Sequence, residues 1–168
     1  MSVVNFKSGL VTNLDASPVV YHDAKTAGGT LRSAFATGEF AASDDTSVGR
    51  MIRVRSSDVI RRVELATDDL GTGGTVDVGL HQTSANGGAV VDADFFASAV
   101  NTDSAAVART DVTYESATAP AIENRGKALW AQLALSADPN LEYDITVTRN
   151  TAAGTGTVSL WVEYVNND

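Results

Sequence analysis

The chain has 168 residues, enough for one domain with its own core, since a chain of this size buries roughly 70% of the surface its unfolded form exposes. It contains no cysteine, which excludes disulfides and thiolate metal sites. Its net charge of −9 disfavours nucleic acid and anionic membrane surfaces as partners, because both need a positive field.

The N-terminus, "MSVVNFKSGLVTNLDASP", holds one lysine and no apolar run of signal-peptide length. No segment approaches the ~20 apolar residues of a membrane helix. The expectation is a soluble protein made without a classical export signal. Residues 1–28 read as an extended arm, with Val3, Val4, Phe6, Leu10, Val11 and Leu14 scattered among polar neighbours and Gly28-Gly29 at its end. An arm this apolar either packs on its own domain or lies on a partner, where buried area offsets the ordering entropy. Few glutamates, lysines or glutamines are present to cover polar helix faces, so long surface helices are not expected in 29–168.

From residue 30 the apolar period is two. "TLRSAFAT" puts Leu31, Ser33 and Phe35 on one strand face. "RMIRVRS" alternates Ile52 and Val54 against Arg53 and Arg55. "VIRRVELA" sets Val63 and Leu65 against Arg62 and Glu64, and "TVDVGLHQ" sets Val76, Val78 and Leu80 against Asp77. "VARTDVTY", "ALWAQLAL", "EYDITVTR" and "TVSLWVEYV" continue the pattern, with Tyr143, Ile145 and Val147 inward. About eight half-buried antiparallel strands predict a single all-β sandwich, an eight-stranded jelly roll. "DADFFASAV" departs from the pattern: Phe95 and Phe96 with Ala99 and Val100 fit i,i+4 spacing, and Asp92 suits an N-cap, so one short helix or turn is predicted there.

The stretch "DLGTGGTVDVGLHQ" poses the question of chemistry. A phosphate loop needs a lysine after its glycines and a helix beyond; here no lysine follows and a strand does. An echo, "DITVTRNTAAGTGTVSLWV", shares its plan of strand, Gly-rich loop and strand, so both stretches read as hairpins whose glycines supply positive φ. His22 and His81 are 59 positions apart, without cysteine, which disfavours zinc, and His81 should face outward one residue after Leu80. No Gly-x-Ser-x-Gly nucleophile elbow occurs. The aspartates at Asp44-Asp45, Asp68-Asp69 and Asp92-x-Asp94 match no calcium loop and read as turn and cap chemistry. No catalytic residue, metal or cofactor is therefore assigned, and the chain is not expected to be an enzyme.

Two groups read as binding surfaces. Arg50, Arg53, Arg55, Arg61 and Arg62 lie within 13 residues, and alternation gives Arg53, Arg55 and Arg62 solvent-side faces of neighbouring strands. They either pair across strands with Glu64 and Asp77 or dock on an acidic protein surface. Trp161 is out of phase with Val158, Leu160 and Val162, and Trp130 with Leu129, Leu133 and Leu135. Exposed tryptophans of this kind anchor interfaces, lie beneath an arm or loop, or receive a sugar ring.

The segments "RVELATDDLGTGGTVDVGLHQT", "GGAVVDADFFASAV", "KALWAQLALSADPNLEYDITVT" and "GTVSLWVEYV", over about residues 48–165, resemble small structural proteins of tailed bacteriophages, and "FKSGLVTNLDASP" resembles their opening. The resemblance implies a capsid decoration, or cement, protein: a homo-oligomer, with a trimer favoured, on the outer surface of the virion. It would bind the major capsid protein across neighbouring subunits, through Val3, Val4, Phe6, Leu10 and Val11 of the arm. The alternative is a glycan- or receptor-binding sandwich of a fibre or tail, with Trp130 and Trp161 as its platform.

Overall fold

A computed structural model of the chain describes residues 7–21, 27, 29–43, 45–103, 106–150 and 154–166. Eight strands run in the order β1 (Thr30–Ser43), β2 (Val48–Arg55), β3 (Val59–Thr67), β4 (Thr75–Gln82), β5 (Val90–Asn101), β6 (Val107–Asp111), β7 (Glu142–Arg149) and β8 (Gly154–Asn166). They form two antiparallel four-stranded sheets, β1-β8-β3-β6 and β2-β7-β4-β5. The pairings nest: β1 with β8, β2 with β7, β3 with β6 and β4 with β5. The chain is thus one long hairpin, with its tip between β4 and β5, rolled into a sandwich by the added pairs β3–β8 and β4–β7. This is the jelly-roll arrangement expected from the alternation.

The inward face of each strand supplies the core. Val63 and Leu65 of β3, Val76, Val78 and Leu80 of β4, Ile145 and Val147 of β7, and Leu160 and Val162 of β8 are all fully buried. One methyl-bearing side chain every second residue, from both sheets, removes this apolar area from water. No helix among the described residues is long and apolar enough to cross a membrane.

Several local expectations are corrected. The helix predicted over "DADFFASAV" is strand β5, and Phe95 and Phe96 are buried by it. Its i,i+4 spacing is mimicked by irregularity: Val78 pairs with Ala97 and Leu80 with Asp92, so a single β4 residue, Gly79, faces four of β5. "ALWAQLAL" is not a strand but contains the short helix α2 (Leu129–Gln132). It is tied to the β2–β3 turn by the Leu129 and Trp130 amides, which donate to the carbonyls of Asp58 and Ser56. With α1 (Gly9–Leu14), two short α-helices are present where at most one was expected.

The two Gly-rich stretches are not hairpins either. Each carries the chain from one sheet to the other, β3 to β4 and β7 to β8. Gly71 and Gly73 have φ of 101° and 74°, as anticipated for glycine in a sharp corner. Arg149 joins the two corners. Only 1% exposed, it donates from Nη2 to the Leu70 carbonyl and from Nη1 to the Gly154 carbonyl, both at 2.8 Å.

Candidate interaction surfaces

The described residues of the N-terminal segment, 7–21, 27 and 29, precede β1 and belong to neither sheet. Ser8 caps α1 by accepting from the Val11 amide, so Leu10 and Val11 lie in a helical turn, where an extended arm was expected. Lys7 and Asp15 pair across the ends of this turn at 2.6 Å. What stands out is exposure: Leu10, Val11, Leu14, Val19, Val20 and Tyr21 are each at least 38% exposed, and Tyr21 84%. These are six large exposed apolar side chains within twelve positions. Val3, Val4, Phe6 and His22 lie outside the described residues, as does Asp44.

The outer face of the first sheet carries the second surface. Trp161 points away from the core, as its phase predicts, but is half-buried rather than exposed. Phe35 of β1 lies against it with ring centroids 4.7 Å apart, and the Arg109 guanidinium sits 4.7 Å from the ring centre. Arg109 also donates to Glu64 at 2.7 Å, and Arg62 pairs with Glu64 at 2.9 Å and Asp111 at 3.4 Å. The face expected for Leu31, Ser33 and Phe35 is real but turned to solvent; Leu31 and Phe35 are 56% and 58% exposed. Sequence reasoning missed Phe35 and Arg109 as neighbours of Trp161, because strand order, not sequence distance, brings them there.

The arginines do not share one face. Arg53 and Arg55 belong to β2 in the second sheet, whereas Arg62 belongs to β3 in the first. Alternation alone makes consecutive strands sheet neighbours, but this fold switches sheets between them. Arg62 meets Glu64 along its own strand β3 and, across strands, Asp111 of β6, while Asp77 accepts from the Ala99 amide at 2.7 Å. Arg53 binds Asp144 at 2.9 Å and Glu142 at 3.7 Å. Arg50 binds Asp144 at 3.0 Å and also the carbonyls of Gln82 and Gly88, so it clamps the hairpin tip between β4 and β5. Burial works against the Asp144 charge, but hydrogen bonds from Arg53 and Arg50 prevail and hold the carboxyl below its usual range.

His81 is on the outward side of β4, opposite Asp144, yet only 5% exposed. The four β5 residues that face Gly79 account for this. A side-chain carbon on Gly79 would sit 2.2 Å from the Ala93 carbonyl oxygen, so β5 lies directly over this part of the sheet face. Thr146, fully buried beside Gly79, shares a hydrogen bond with His81 Nδ1 at 3.0 Å. Desolvation, with Arg50 adding to it, pushes the His81 pKa down, against the opposing pull of Asp144.

Trp130 and Trp161 are not brought together. Trp130 is held at the β2–β3 turn, whereas Trp161 pairs with Glu64, five strand residues beyond Val59 and so roughly 17 Å along β3. A shared two-ring platform is not formed. Asp69 and Asp92 act locally, accepting from the Gly71 and Asp94 amides, whereas Asp68 reaches across the corner to accept from the Thr157 amide of β8. Among the described residues no three histidine or acidic side chains converge as metal ligands.

No family model and no curated protein matches this sequence. The fold does match solved structures. A chain in the capsid asymmetric unit of cyanophage Pam1 superposes with a TM-score of 0.50 at 12% identity, covering 83% of this chain and 86% of that one. A chain in the capsid of Ralstonia phage GP4 gives 0.51 at 16% identity with the same coverage. A third, from the capsid of Helicobacter pylori bacteriophage KHP30, gives 0.42 at 11% identity, over 83% and 95%. At such identities the likeness is one of fold: this chain shares its sandwich with proteins found in phage capsids. Because the matched share is nearly equal on both sides for the first two, those chains are of similar length to this one.

Proposed function

We propose that this protein is a structural component of a phage virion that decorates the outside of the capsid and stabilises it by binding across major capsid subunits. The observation that carries this reading is the run of exposed apolar side chains, Leu10, Val11, Leu14, Val19, Val20 and Tyr21, ahead of a sandwich whose own core is complete. The likeness to two phage-capsid chains supports it, since the shared part is a whole small sandwich and not one domain of a much longer subunit. Fold likeness alone does not give a role, so the role is argued from the surface.

The mechanism is binding without turnover. The segment from Leu10 to Tyr21 lies on an apolar groove of the shell, and the sandwich stays outside as a rigid acidic body. Homo-oligomerisation multiplies a contact that is weak for each copy. Co-sedimentation with phage heads lacking this protein tests the reading. Full-length protein should bind saturably, and Leu10→Asp/Val11→Asp/Leu14→Asp should lose most of that binding while its melting temperature is kept. Undiminished binding by this variant would move the contact to the sandwich, and absence of binding by the native chain would refute the proposal.

A further inference from the structure

A sandwich of two four-stranded sheets has four edge strands, and unpaired edges invite pairing with another strand unless something blunts them. Three are blunted here. The β2 edge carries Arg50, Arg53 and Arg55 and a register shift between Arg50 and Ile52. The β5 edge is broken by three register shifts, and β6 is only five residues long. The fourth, β1, is the least blunted: its charges are a single Arg32 and Glu39, and its register shift lies beyond Phe40. It is 14 residues long, with no proline or lysine, and pairs with β8 without a shift from Thr30 to Phe40. Among the described residues no backbone hydrogen bond reaches its other side.

We propose that two copies of this chain join through their β1 edges, antiparallel, about a two-fold axis at Phe35. A strand that adds to β1 must itself have a free, regular edge, and among the described strands β1 is the one that offers it. The regular stretch, Thr30 to Phe40, is centred on Phe35, so full antiparallel overlap places the axis there. Across the axis Ser33 then faces Thr37, Ala34 faces Ala36, Arg32 faces Gly38 and Leu31 faces Glu39. No like charges oppose one another, and the inward-phase positions next to the axis, Ala34 and Ala36, are small. The outer faces of the two copies align, so the exposed Phe35 meets its equivalent and the tilted pair Phe35–Trp161 extends into a stripe of four rings. The joined sheets make one of eight strands, and the dimer presents two N-terminal segments. Pairing through β1 is independent of capsid binding and differs from the trimer that the resemblance implies.

Because the chain has no cysteine, single cysteines report the pairing cleanly. Residues directly opposed in an antiparallel pair have Cα atoms ~4.5–5.5 Å apart, within disulfide reach, whereas Thr37 and its equivalent would be separated by four residues, roughly 14 Å. On oxidation Phe35→Cys should run almost entirely as a disulfide-linked dimer, and Thr37→Cys should stay free of cross-links. By sedimentation equilibrium the native chain should have the mass of a dimer and Phe35→Glu, with two carboxylates at the axis, that of a monomer. A native monomer at all concentrations, a trimer, or stronger cross-linking of the Thr37→Cys variant than of Phe35→Cys would overturn the proposal.

Discussion

Replacing Arg149 by methionine tests how the two sheet-crossing corners are held. The arginine is almost wholly buried, with its guanidinium carbon 5.8 Å from the Phe40 ring centre and its fork on two carbonyls, Leu70 of the β3–β4 corner and Gly154 at the start of β8. Methionine keeps most of the apolar stem but donates nothing. Each charge-assisted bond to a carbonyl is worth about 1.5–3 kcal/mol, and the Leu70 carbonyl would remain buried without this donor. Relief from burying a guanidinium offsets part of the loss. The net cost is about 2–4 kcal/mol, or a fall of roughly 10 °C in Tm for a domain of this size. Arg149→Lys should lose about half as much, since one ammonium cannot span both carbonyls with fork geometry. Urea and thermal unfolding followed by circular dichroism measure both variants. If Arg149→Met costs less than about 0.5 kcal/mol, the corners are not held by this side chain.

Other substitutions probe the second sheet. Gly79→Ala would place a carbon against the Ala93 carbonyl, which is backbone and cannot swing away, so a loss of about 2 kcal/mol or more is expected on chemical unfolding, against under ~0.5 kcal/mol for a substitution at an ordinary exposed site. The His81 pKa is lowered by folding, so the unfolded chain takes up its proton first and stability falls as pH drops through the unfolded value near 6.5. Urea midpoints between about pH 7.5 and 5 should decline for the native chain and stay flatter for His81→Gln; equal slopes would contradict the burial argument. Asp144, with its pKa lowered, adds stability that is lost only at more acid pH, so Asp144→Asn should flatten the profile below about pH 4. Arg50→Ala should raise hydrogen exchange in residues 82–90, whose carbonyls at Gln82 and Gly88 it holds, with the core of β8 unchanged.

What the sequence by itself determined is the local periodicity. Val63 and Leu65, Val76 to Leu80, Tyr143 to Val147 and Val158 to Val162 announce which side of each strand is apolar, because burying one face of a pleated strand requires alternation wherever the strand ends up. The glycines at 71 and 73 likewise announce a corner, since positive φ is a property of the residue. Tertiary structure alone decided where the strands go. A corner that turns back as a hairpin and one that crosses to the opposite sheet share the same residues, so the placement of Arg53 and Arg62 on different sheets was hidden. So was the meeting of Phe35, Trp161 and Arg109, which are 126 and 52 positions apart from ring to ring and ring to guanidinium. The burial of His81 depends on four residues of β5 opposing one of β4, an irregularity that a helical spacing of Phe95, Phe96 and Ala99 resembles. Side-chain pattern is written residue by residue, whereas strand order is a global minimum over pairings far apart in the chain, and it is strand order that leaves β1 at an open edge.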